Sequence, residues 1–126
     1  MSNRDIRVDN KKVILLLPDC ITILDRWEFT SSEKAILLGF DNETVFQVML
    51  ANPSVHAFTS EQIERMSYTF RICISLMTIL PDLLQARHWL HSPNKDQTFN
   101  GKSPIELIKK GKILDLDSIS NYLQMF

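Results

Sequence analysis

The chain has 126 residues, enough for one domain that buries its own core without disulfide or metal staples. Hydrophobic residues make up 44% of it and charged ones 23%, with 3 Gly and 5 Pro, which excludes disordered, collagen-like and low-complexity classes. A net charge of −1 gives no overall pull toward nucleic acid or anionic membrane, and the two cysteines, Cys20 and Cys73, are too few for a disulfide framework or a metal quartet.

Taken in chain order, Arg4, Arg7, Lys11 and Lys12 precede the apolar run Val13-Ile14-Leu15-Leu16-Leu17. Pro18 and Asp19 interrupt that run after five residues, and no small-residue cleavage site follows, so it reads as core and not as a signal peptide. The run fits a short strand, but Ile21, Leu24 and Trp27 beyond Pro18 favour a helix ending near Trp27. Thr30-Ser31-Ser32-Glu33 is a capping box that opens a short helix over 31–38, closed by Gly39. A second helix is expected over 42–50, before Pro53. The two helices and the Gly-containing turn between them have helix-turn-helix spacing.

Thr59-Ser60-Glu61-Gln62 is a second capping box, with Phe58 and Ile63 as its hydrophobic staple. Ile63, Met66, Phe70, Cys73, Met77 and Leu80 recur at steps of three and four, the mark of a long helix. Ile72, Ile74, Leu76 and Ile79 make its second half apolar on other sides too, as expected of a central pillar that ends at Pro81. Leu83, Leu84, Ala86, Trp89 and Leu90 continue on an angled helix, and residues 94–101 form the one extended polar loop. Ser103-Pro104-Ile105-Glu106 is a third capping box with Pro at the first helical position. Its helix carries Lys109 and Lys110 in the last turn and stops at Gly111. Leu114, Leu116, Ile119, Tyr122, Leu123 and Phe126 predict a last helix from about Asp117. The fold class is therefore all-α.

No residue pattern calls for catalysis or a cofactor. His88 and His91 have the three-residue spacing of two metal ligands, but no Cys, Asp or Glu completes a site nearby, and they read as surface or interface histidines. Cys73 falls on the buried face of the long helix as a small hydrophobe. Phosphate-binding Gly-rich loops are absent, and no carboxylate is bracketed by apolar residues that would raise its pKa.

Two stretches resemble a known family. Arg87-His88-Trp89-Leu90-His91-Ser92-Pro93-Asn94, then Phe99-Asn100-Gly101-Lys102-Ser103-Pro104, a helix ending at Gly111 and a final Tyr122-Leu123 resemble the toxin-binding domain of the Xre/MbcA/ParS antitoxins. Upstream, Arg26-Trp27, Ser32-Glu33 and Leu37-Leu38-Gly39 look like that family's helix-turn-helix opening. The stretch 59–74, with Glu64-Arg65 and Ser67-Tyr68, looks like the helix joining the two parts. The resemblance spans roughly residues 20–126. It implies an antitoxin encoded beside a RES-domain, NAD-consuming toxin, neutralising it by covering the active-site cleft, and a homodimer or a hetero-oligomer with the toxin; the two-cysteine content fits a reducing, cytoplasmic setting. The organisation it implies is an arm and helix-turn-helix region over 1–58 and a central helix with a toxin-binding region over 59–126. A DNA-binding autorepressor of its own operon and a stand-alone interaction domain are the rival readings.

On this reading the toxin-binding residues are Trp89, Pro93, Asn94, Phe99, Gly101, Lys102, Ser103, Pro104, Lys109, Lys110, Gly111, Tyr122, Leu123 and Phe126. Pro93, Asn94, Ser103 and Pro104 serve first as a rigid helix start, with partner contact as their lesser use. Tyr122, Leu123, Met125 and Phe126 give the chain an apolar, aromatic end that must dock on its own core or on a partner.

The charge distribution opposes an autorepressor. Residues 13–64 hold Arg26 and Lys34 against Asp19, Asp25, Glu28, Glu33, Asp41, Glu43, Glu61 and Glu64, a balance of −6, while residues 1–12 carry +2 and residues 65–126 carry +3. Affinity for DNA rests on cations neutralising phosphates. Only Lys34, Thr44 and Gln47 offer DNA contacts in this region, and the helix over 42–50 has no base. Val45, Phe46, Val48, Met49 and Leu50 make that helix apolar enough to share its residues between the core and a homodimer face.

Overall fold

The structure, a computed structural model, describes residues 10–126. The basic arm at Arg4 and Arg7 lies outside the described residues. Within them the chain forms seven α-helices: α1 (Asn10–Arg26), α2 (Ser31–Leu38), α3 (Glu43–Ala51), α4 (Ser60–Ile79), α5 (Leu83–His91), α6 (Pro104–Lys109) and α7 (Ile113–Leu123), with a 3₁₀ turn over Pro53–Val55. No strand occurs among the described residues, and no described helix is long and apolar enough to cross a membrane.

The first element decides between the two readings of the run 13–17. It is one continuous helix, and Pro18 sits inside it. A proline there costs about 3 kcal/mol through the lost hydrogen bond and the clash with the preceding turn. Val13, Leu17, Cys20 and Leu24 form a buried stripe at helical spacing that offsets this cost by packing α1 along α4. Leu15 and Leu16 fall off the stripe and are exposed, so only part of the run is core. The helix stops in a turn where Phe29 N donates to Leu24 O at 3.0 Å and Glu28 takes φ 67°.

All three capping boxes form. The hydroxyls of Thr30, Thr59 and Ser103 accept from the amides of Glu33, Gln62 and Glu106, and each third-position side chain reaches back to the cap amide. Phe58 and Ile63 are both buried beside the second box. Helix α4 is the pillar: α1, α2 and α7 all pack on it. Its apolar residues are not all core, however, since Ile74 and Met77 are exposed. The last helix starts at Ile113, four residues ahead of the expected Asp117. Asp115 N donates to Lys112 O at 3.1 Å, and Leu116, Ile119, Ser120 and Leu123 make the face that packs on α4.

The two halves of the chain meet at Arg65 of α4, which is only 6% exposed. Its Nε donates to Glu61 Oε2 at 2.9 Å, Nη1 donates to Ile36 O of α2 at 3.4 Å, and Nη2 donates to Gly111 O just after α6. Ile36 O also accepts from Gly39 N at 3.2 Å, so the guanidinium adds a second donor at the end of α2 while it holds the carbonyl of Gly111 in the turn after α6. Gly39, at φ 83°, is the residue that permits this approach, because a Cβ there would sit 2.7 Å from Arg65 Cδ. Replacing Arg65 with Met is expected to destabilise the fold by about 1–3 kcal/mol, since it removes the donor to Gly111 O and the second donor to Ile36 O. Glu61→Gln, at the solvent end, is expected to cost under about 1 kcal/mol. Urea denaturation of the two variants checks both figures.

Candidate functional site

Beyond α4 the chain builds a short, stiff assembly from α5, the following loop, α6 and α7. Asp82 caps α5, its carboxylate accepting from Gln85 N at 3.0 Å. Two α5 side chains then close the end of α1. Arg87 Nε donates to Arg26 O at 2.7 Å, and His91 Nε2 donates to Trp27 O at 3.1 Å. His91 is thus occupied with a backbone carbonyl, and among the described residues no three His, Cys, Asp or Glu side chains gather as a metal site.

The polar loop is tightly bonded. Asn94 N donates to Lys102 O and Gly101 N to Asn94 O, both at 3.1 Å, which pinches its neck. Asn94 and Asp96 side chains accept from the amides two residues on, at 2.9 Å each. Asn100 and Gly101 follow each other in the left-handed region at φ 51° and 80°, turning the chain so that Phe99 is fully buried. Ser103 and Pro104, also buried, then start α6.

Phe99 is the centre of an aromatic cluster drawn from four segments. Its ring meets Trp89 of α5 edge-on at 5.6 Å and Tyr122 of α7 edge-on at 5.0 Å. Trp89 and Tyr122 stack at 6.3 Å with an 11° interplanar angle, and Tyr122 meets Phe126 at 5.2 Å. Burial decreases outward: Phe99 is enclosed, Trp89 and Tyr122 are half-buried, and Phe126 is 71% exposed. Met125 beside it is 70% exposed and Leu114 on the first turn of α7 is 77% exposed. Gln124 Nε2 donates to Ser75 Oγ at 3.2 Å, holding the terminus against α4, where Leu123, Phe126, Ile74 and Thr78 line an open groove of about 300 Å³.

The residues singled out from sequence thus fall into two groups. Trp89, Phe99, Tyr122 and Phe126 converge, with Leu123 buried beneath them. Pro93, Asn94, Gly101, Ser103, Pro104 and Gly111 shape the backbone that holds them, and Gly111 also offers its carbonyl to Arg65. Lys102 is half-buried, Lys110 is exposed, and Lys109 lies 3.7 Å from Glu33 of α2. Of the candidate DNA contacts, Lys34 is buried and ion-paired with Asp25, and Gln47 donates to Ser31 Oγ at 3.1 Å, while Thr44 is exposed. Leu114 and Leu84 are exposed apolar residues that the sequence reading assigned to helical faces only. An earlier helix start would have placed Leu114 off the buried 116–119–123 stripe and exposed it to view.

A cluster of enclosed rings with an exposed apolar rim has the composition and burial pattern found in protein-docking surfaces. Residues 75–125 match the model of the family described as the antitoxin Xre/MbcA/ParS C-terminal toxin-binding domain. The matched region takes in the last five residues of α4 and all of α5, α6 and α7. No curated protein matches the chain.

Two outcomes follow from this geometry. Phe99→Ala is expected to cost about 3–5 kcal/mol of unfolding free energy, measured by denaturant titration, because a fully enclosed ring leaves a cavity. Glu106 accepts from Ser103 N at 2.8 Å and from its hydroxyl at 3.1 Å; the amide first, then the hydroxyl, hold its carboxyl below the usual glutamate range. Because the folded value is lowered, its contribution is full above the unfolded value of about 4.3 and is lost as pH falls through the lowered one. The stability gap between wild type and Glu106→Ala should accordingly narrow on acidification, and a gap that widens would contradict the capping role.

Proposed function

We propose that this chain is the antitoxin partner of a RES-domain, NAD-consuming toxin encoded beside it, and that it acts by stoichiometric occlusion of the toxin's active-site cleft and not by catalysis. The aromatic cluster and the terminal segment form the occluding surface in this reading. Its main support is the gradient from enclosed Phe99 to exposed Met125 and Phe126, inside and at the edge of the toxin-binding domain match. Preorganisation reduces the ordering cost of binding, so a stiff apolar tip suits a tight inhibitor. The target class rests on the resemblance of residues 87–104 to antitoxins of RES toxins. A cytoplasmic setting goes with it.

The same reading gives the N-terminal half, residues 1–58, a helix-turn-helix-like role in assembly and not in operator recognition. On α3, Phe46 and Met49 point into the core, while Val45 and Val48, the latter 68% exposed, remain for a homodimer or hetero-oligomer contact. Lys34 is paired with Asp25, so α2 and α3 present no free base to a phosphate backbone.

Deleting Met125 and Phe126 is expected to leave the circular dichroism spectrum unchanged and to abolish growth rescue when the chain is co-expressed with the neighbouring RES-domain toxin. Full rescue by the truncated protein would overturn the occlusion reading. In a mobility-shift assay at physiological salt, the lone protein is expected not to retard its own promoter fragment. A salt-sensitive shift would favour the autorepressor instead.

A further inference from the structure

The seam between α1 and α4 carries chemistry that the toxin-binding half does not use. Cys20 of α1 and Cys73 of α4 are both buried and both free, and their sulfurs lie 4.0 Å apart although 53 positions separate them in the chain. They line a largely apolar cleft of about 110 Å³, bordered by Ile23, Phe70 and Asp19 and opening past the exposed Leu16 and Ile74. A space of this size and lining admits a water-sized solute and excludes a tripeptide disulfide such as oxidised glutathione. A disulfide needs a sulfur separation of about 2 Å, so closure asks for a shift of about 2 Å that two side-chain rotations share.

We propose that Cys20 and Cys73 are a peroxide-modifiable pair that closes to a reversible intrachain disulfide, pinning α1 to the central helix. In the first step one sulfur attacks hydrogen peroxide: the O–O bond breaks, an S–O bond forms, and the departing hydroxide takes the thiol proton and leaves as water. In the second step the other sulfur attacks this sulfenic sulfur: the S–S bond forms, the S–O bond breaks, and a second water leaves. The two thiols lose two electrons in all and the peroxide gains them. The Cys73 thiol is pushed well up from its usual range, chiefly by its hydrogen bond with Cys20 and then by burial. Thiolate is therefore scarce, oxidation is slow, and the pair answers sustained peroxide and not a brief pulse. The cross-link encloses α2 and α3 in its loop, which restricts the unfolded chain and suppresses local opening of α1. The toxin-binding domain match begins beyond Cys73, so docking is untouched while the protein survives longer against unfolding.

The test uses the full-length protein treated with hydrogen peroxide, digested with trypsin without reductant and mapped by mass spectrometry. The expected product is a cross-linked pair of peptides, 13–26 and 72–87, each holding one cysteine, lighter by two hydrogens than their sum and separated by dithiothreitol. The oxidised protein should melt several degrees higher than the reduced one, and the rise should reverse with dithiothreitol and vanish in Cys20→Ala or Cys73→Ala. Sulfinic or sulfonic acid at either cysteine without the cross-linked pair, or intact thiols after the exposed Met125 is fully oxidised, would overturn the proposal. A cross-link that leaves the melting temperature unchanged would overturn the pinning of α1. The peptide map needs only the wild-type chain, so it decides the matter even if a variant fails to fold.

Discussion

One buried guanidinium, that of Arg65, ties the two halves of this molecule together. Arg65 enters from the central helix and meets carbonyls at the end of α2 and in the turn after α6, which come from opposite halves of the chain. Burying a guanidinium is costly unless its hydrogen bonds are filled, and here three donors find oxygens: the Glu61 carboxylate and the carbonyls of Ile36 and Gly111. Gly39 clears the space for its stem, and Gly111 turns the chain so that its carbonyl faces inward. The placement of α6 against α2 depends on this junction, and α6 in turn fixes where α7 begins. The Glu33–Lys109 pair at 3.7 Å runs beside it at the surface and adds little by comparison.

From that anchor the toxin-binding end follows as a chain of constraints. The loop after α5 is pinned by its own backbone and by Asn94 and Asp96, so Phe99 enters the core in one position. Trp89 and Tyr122 pack on Phe99 from two different helices, and each ring limits the freedom of the other. Outer groups such as Leu84, Leu114, Met125 and Phe126 are left to solvent. A surface made this way spends little conformational entropy on contact, which is the property a stoichiometric inhibitor needs. Side-chain caps at the starts of α2 to α6 are filled from within three residues, which fixes where those helices begin.

Much of this was legible from residue order. The three capping boxes and Gly39 gave helix starts and one stop to within a residue, because capping is a contact between positions three apart. The aromatic residues of the toxin-binding end were picked out individually, through family resemblance and through an apolar terminus that demanded docking. What residue order concealed was tertiary. Pro18 looked like a break, yet the stripe from Val13 to Leu24 carries the helix through it by packing on α4. Lys34 looked like a free base but is folded under against Asp25. Arg65 had no local partner but Glu61, and nothing in the sequence points to carbonyls 29 and 46 positions away. The start of α7 was missed because Lys112 lends it no side-chain cap.

The claim most open to direct test is that the toxin-binding end is shaped before any partner arrives. Hydrogen–deuterium exchange, followed by mass spectrometry on the free chain and on its complex with the neighbouring toxin, measures this segment by segment. The account predicts slow exchange across α6 and α7 in the free protein, with added protection on binding confined to the first turn of α7 and the terminal residues. Rapid exchange throughout residues 92–126 in the free chain, slowed only in the complex, would contradict it.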